Sequence, residues 1–144
     1  MLMYPDADVP VVQLSMLRDL DPAHHIDMGA AIAPIVDDDV LIVGSGLSFH
    51  NMNAFGPANP ASGIDHENEA FDAWLESVCT DTSIDEDERR TRLSRWRDAP
   101  SARYNHPREE HLLPLHVCYG AGGGPATRAF DGRVLEKKVA AYLW

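Results

Sequence analysis

Basic residues are scarce in this chain: 12 Lys and Arg stand against 23 Asp and Glu, a formal net charge of −11. A phosphate-backbone binder needs a basic stripe. The one basic run, Arg89 to Arg97, directly follows the acids Asp85 to Glu88. Nucleic acid and membrane surfaces are therefore disfavoured as partners, and the acidity speaks to solubility rather than to fold. Cysteine is scarcer still. Cys79 and Cys118 are too few for a disulfide framework or a four-cysteine zinc site and read as reduced, partly buried thiols. No apolar run approaches the roughly 18 residues of a membrane span. Met1 to Asp8 has neither the basic start nor the apolar stretch of a signal peptide, so the reading is a cytoplasmic protein. There is no internal repeat and no low-complexity segment. What is present is ordinary globular material: 44% hydrophobic and 24% charged residues over 144 positions, enough for one domain with a core of its own.

Val9 to Leu14 is short, apolar and β-branched, and reads as a buried strand with Pro10 making its start irregular. Asp21-Pro22 is a helix cap followed by proline at the first helical position. Ile26, Ala30 and Ala33 continue that helix until Pro34. Val40 to Val43 reads as a second buried strand, which makes the stretch a βαβ unit with a parallel crossover. Residues 51–64 are a long loop rich in Gly, Pro and Asn. Asp65 caps the next helix, whose apolar face is Phe71, Trp74, Leu75 and Val78. Ser83 and Glu86 have capping-box spacing, opening a charge-rich surface helix with Asp85/Arg89, Glu86/Arg90 and Glu88/Arg92 pairs. Proline at 107 and 114 predicts a turn over 107–111 and a helix from about Leu112, ended by Gly120 to Gly124. A β-hairpin closes the chain, with Asp131-Gly132 as its turn and Lys137-Lys138 interrupting its second arm.

Gly44-Ser-Gly-Leu-Ser-Phe49 starts like a dinucleotide fingerprint but fails at its third glycine. It is also no nucleophile elbow, because neither Ser45 nor Ser48 sits in Gly-x-Ser-x-Gly. Small residues there let the chain turn at the carboxyl end of a strand, where open α/β sheets place ligands. His50 and Asn51 lie just beyond; His50 is either a plain loop histidine or a functional one. His106, His111 and His116 are spaced by five, which turns a helix by about 140° per step, so they cannot chelate one metal from a single face. One of them can still contribute to a site shared with other segments. Glu109 and Glu110 read as first-turn acids complementing the helix dipole, and His24-His25 as surface residues.

Three blocks, Tyr4 to Ser15, Val40 to Asn51 and His106 to His116, together resemble the class III extradiol ring-cleavage dioxygenases, in particular the DOPA-dioxygenase-like branch. The resemblance covers nearly the whole chain. It fits the C-terminal half of that family, and the N-terminal half, with a further strand–helix set and two metal-binding histidines, has no counterpart here. The fold it implies is α/β, a mainly parallel sheet with flanking helices and a C-terminal β-hairpin, being half of a larger α/β dioxygenase fold; residues 1–144 form the C-terminal portion. The activity it implies is opening of a catecholic ring with O2 at a non-haem metal, Fe(II) or Zn(II), in aromatic compound catabolism. By the same resemblance His50 is the acid–base histidine or a metal ligand, and His111 is the C-terminal metal ligand. His106, Glu110, Ser45 and Asn51 line the substrate site.

The expectation is thus a truncated ring-cleavage dioxygenase. The alternative is a non-catalytic remnant or assembly half that needs a partner chain, whether a second copy or a complementing N-terminal half, to complete its metal site. An unrelated α/β ligand-binding domain is the remote third reading.

Overall fold

The computed structural model describes residues 6, 8–55 and 65–144. Residues 56–64, most of the loop expected over 51–64, lie outside them, as do most of the residues before Asp8.

Helix α1 (Pro22–Ile32) starts as its sequence dictates: Asp21 is the N-cap, its carboxylate accepting from the Ala23 and His24 amides, and proline takes the first position. A 3-10 turn (Ala33–Asp38) follows. Helix α2 (His66–Thr80) is capped by Asp65, which accepts from the Asn68 amide, and buries Phe71, Leu75, Val78 and Cys79. Helix α3 (Glu86–Ser94) is followed by a 3-10 turn (Trp96–Asp98), the short helix α4 (Ala102–Asn105) and helix α5 (Leu113–Gly122), with proline at its first turn and Gly123 as its C-cap. Strands β1 (Thr127–Val134) and β2 (Lys137–Leu143) pair antiparallel. The protein is α/β.

The core joins Ile26 of α1, the apolar face of α2, Leu93, Trp96, Leu112 and Tyr119. Helices α1 and α5 cross with almost no gap. A methyl group on Gly29 would overlap the Val117 carbonyl, and one on Gly120 the Ile26 carbonyl, so each helix needs glycine at the crossing.

Several expectations fail for identifiable reasons. Among the described residues the β structure is the hairpin alone. Residues 9–14 and 40–43 belong to no strand, with Val12 92% and Val43 61% exposed. A strand exists only through its neighbour, and among the described residues none pairs with either segment, so the parallel sheet and the βαβ unit are not seen there. Asp85, not Ser83, caps α3; the Ser83 hydroxyl and amide are already committed to the Asp81 carboxylate. Helix α3 is less solvated than its charge suggests: Arg89 is fully buried, donating to the carbonyls of Val78, Asp81 and Ile84. Of the expected i, i+4 pairs, Arg92 meets Glu88 at 2.6 Å, whereas Arg90 reaches Asp27. The hairpin turns at Leu135-Glu136, both at positive φ, the sign a two-residue type I′ turn needs. Gly132 sits inside β1 because the Phe130 ring folds over it. Lys137 and Lys138 begin β2 without interrupting it; the irregularity is in β1, between Arg128 and Phe130, at the other end of the ladder. His25 is buried and not on the surface. Its Nδ1 donates to the Asp21 carbonyl at 2.6 Å and its Nε2 accepts from the Leu17 amide. The two thiols are free, Cys79 buried and Cys118 half-buried.

Candidate functional site

The segment 47–51 belongs to no strand, yet it is laced residue by residue to 104–111. The Leu47 amide donates to the His111 carbonyl (3.0 Å), and the His50 amide to the Asn105 carbonyl (2.9 Å). The Asn51 side-chain amide donates to the Tyr104 carbonyl (2.7 Å), and His106 Nε2 to the Ser48 carbonyl (2.9 Å). On the other side the Ala140 amide of β2 donates to the Ser48 hydroxyl. Gly46 allows the approach, since any side chain there would strike the His111 carbonyl.

This lacing sets the His50 and His111 rings face to face, with centroids 3.3 Å apart and planes 13° from parallel. They form part of the wall of a cavity of about 340 Å³, with Asn51, Met52, Asn53, Pro107, Arg108 and Glu110. Its size is at the lower end of small-molecule sites. Burial, then the neighbouring His50, pull the His111 imidazole below its ordinary pKa. That favours the neutral ring, the form that ligates metals.

The positions singled out in the sequence separate here. His50, His111, Asn51 and Glu110 share the cavity wall. His106 does not line it: the residue is fully buried beneath, between the Phe71 and Trp96 rings, and burial pushes its pKa down to about 4. Ser45 is exposed and stands outside the wall. His116, also buried, donates from Nε2 to the Leu93 carbonyl.

Two supporting groups escaped sequence reasoning. Glu109 is no dipole-complementing surface acid; its carboxylate takes Arg97 at 2.6 Å and Arg103 at 2.7 Å. Burial works against its charge, but the two guanidinium groups outweigh it and hold the carboxyl at about 2. This clamp fixes the turn that delivers His111. Behind His50, the Tyr104 hydroxyl and Lys137 both donate to Asp65 Oδ2, and Asn68 bonds the Asn105 side chain and the Lys138 backbone. The partners are distant in sequence, so no local spacing marks them.

The donor set fits a non-haem Fe(II) or a zinc ion in kind, since two imidazoles suit both, but falls short in number. Among the described residues no group of three or more His, Cys, Asp or Glu is placed to hold a metal ion.

A 4,5-DOPA dioxygenase extradiol of Beta vulgaris is 44% identical over 124 residues, spanning 85% of this chain and 43% of that protein. Its namesake in Mirabilis jalapa is 36% identical over 123 residues, with the same coverage of 85% and 43%. The crystal structure of an uncharacterized protein from Escherichia coli K12 superposes with a TM-score of 0.79 at 28% identity, over 96% of this chain and 56% of the other. The chain therefore spans less than half the length of these curated relatives. The family described as the catalytic LigB subunit of aromatic ring-opening dioxygenase matches residues 1–142, and the chain belongs to this LigB family.

Proposed function

We propose that this chain is the C-terminal half of an extradiol dioxygenase that opens a catecholic ring with O2 at a non-haem Fe(II) or Zn(II) centre, and that a complementing N-terminal half completes the site. The observation that carries the reading is the His50–His111 stack in the wall of a small-molecule cavity, in a chain of the LigB family. His111 is assigned as a metal ligand and His50 as the group that takes the catechol proton and returns it, a task suited to imidazole near neutral pH. Asn51 and Glu110 are assigned to the substrate wall. His111 would help hold such a metal, which would supply the Lewis acidity that prepares a catechol for reaction with O2.

The second half of the proposal rests on the unpaired segments. Val11, Val12, Leu14, Leu41 and Val43 are exposed apolar residues outside any helix or strand, and strands buried on both faces of a parallel sheet have this composition. A second apolar cavity, of about 330 Å³, lies between residues 41–48, α5 and β2. Both features suit a neighbouring set of strands from a complementing half. The two-donor count favours the companion reading, in which the 144-residue chain alone is inactive.

The test is catechol ring cleavage, followed by ring-opened product, with Fe(II) or Zn(II) added. The chain is assayed alone and mixed with the N-terminal segment of a relative. Activity in the mixture and none in either part supports the proposal. No cleavage in a mixture shown to form a stable complex overturns the catalytic assignment, and full activity of the chain alone overturns the half-site.

A further inference from the structure

We propose that His106 is a positioning residue: by donating from Nε2 to the Ser48 carbonyl it holds His50 in register against His111. A carbonyl only accepts, so the 2.9 Å contact puts the ring hydrogen on Nε2. Nδ1 is then a bare acceptor, and among the described residues it is buried without a partner. The Phe71 and Trp96 rings pack against the imidazole, with centroids 5.4 Å and 5.9 Å away. An unpaired buried acceptor is unfavourable, and an apolar ring would fill that slot without it. What histidine adds is the one donor aimed at Ser48.

That donor matters because segment 47–51 has no ladder of its own. Its geometry is the sum of separate anchors, of which the contact to Ser48 lies two residues before His50. The stack leaves little tolerance, since rings 3.3 Å apart are already at van der Waals separation. A slack Ser48 carbonyl lets the His50 backbone turn and the rings part. The inference rests on the ring-cleavage reading for what the stack serves, but not for the contact itself, so its test needs no turnover.

Ring NMR of the isotope-labelled full chain should show His106 as one neutral tautomer protonated on Nε2, coupled through the hydrogen bond to the Ser48 carbonyl carbon. His106→Phe fills the slot without a donor, whereas His106→Gln places an amide N–H near the Nε2 position. His106→Phe is expected to shift the His50 and His111 ring resonances and to weaken the nuclear Overhauser contacts between the two stacked rings. His106→Gln should restore both. If His106→Phe does not fold, His106→Asn replaces it, since its amide is too short to reach Ser48. A His106 ring protonated on Nδ1 overturns the proposal. So do unchanged His50 and His111 resonances in the donorless variant, or a glutamine variant that behaves like it.

Discussion

Lys137 Nζ lies 2.5 Å from Asp65 Oδ2 with both side chains withdrawn from solvent, 1% and 5% exposed. The Tyr104 hydroxyl donates to the same oxygen at 2.6 Å. One carboxylate thus ties the head of α2 to the start of β2 and to the segment that anchors Asn51. Burial alone would raise the Asp65 carboxyl, but the hydrogen bonds from Lys137 and Tyr104 outweigh it and hold it below the usual carboxylate range. Removing one partner leaves a buried charge uncompensated, which is destabilising by about 3–5 kcal/mol. Lys137→Met should therefore lose about that much in urea unfolding, and the double variant Asp65→Asn/Lys137→Met should recover part of it. A double variant no more stable than Lys137→Met would show that the two are not coupled.

In the complemented protein, His111→Ala should lose metal, since removing an imidazole leaves the site weaker and misshapen. His50→Ala should keep most of its metal and still bind catechol, with turnover reduced roughly 10²–10⁴-fold, the worth of a positioned acid–base group. Metal analysis beside a turnover assay separates the two roles. If His50→Ala strips the metal as His111→Ala does, His50 is a ligand and the acid–base role is wrong.

Acid should destabilise the fold in two stages. His106 is pushed from 6.5 down to about 4 by burial. Above pH 6.5 it is neutral folded or unfolded; below that the unfolded chain binds the extra proton, and stability falls until about pH 4. His116 is shifted in the same direction, also by burial. Glu109 is lowered from 4.5 to about 2, so its contribution is complete above pH 4.5 and is lost as the pH falls toward 2. Denaturation midpoints measured from pH 7 to pH 2 should decline along both limbs. In Glu109→Gln the lower limb should flatten, and an unchanged lower limb counts against the arginine clamp.

The isolated chain should associate. Val11, Val12, Leu41 and Val43 are exposed on segments that are unpaired among the described residues, and apolar strand-like segments of this kind pair with other chains. Sizing experiments should show oligomers, and a hydrophobic dye should bind. Val12→Lys with Leu41→Lys should reduce both signals with little change in thermal midpoint. A monodisperse, dye-silent monomer would falsify the open-face reading.

What the sequence by itself determined is local. Asp21-Pro22 and Asp65 start α1 and α2 as read, and Phe71, Trp74, Leu75 and Val78 mark the face α2 packs. Proline at 114 and glycine at 123 bound α5. A helix forms its bonds within four residues, so its signals lie within one turn of the chain. The motif around His50 and the block around His111 were legible too, through resemblance, though not their ring-to-ring contact. Tertiary structure decided everything whose partner is remote: the stack of residues 50 and 111, Arg97 and Arg103 on Glu109, Arg89 turned inward, and Lys137 drawn to Asp65. It also moved the hairpin turn from Asp131-Gly132 to Leu135-Glu136. That register places Lys137 and Val139 inward, and interactions across the fold outweighed the stronger local turn signal. The apolar residues of 9–14 and 40–43 carry the composition of strands, but pairing is a property of two segments, and composition describes one.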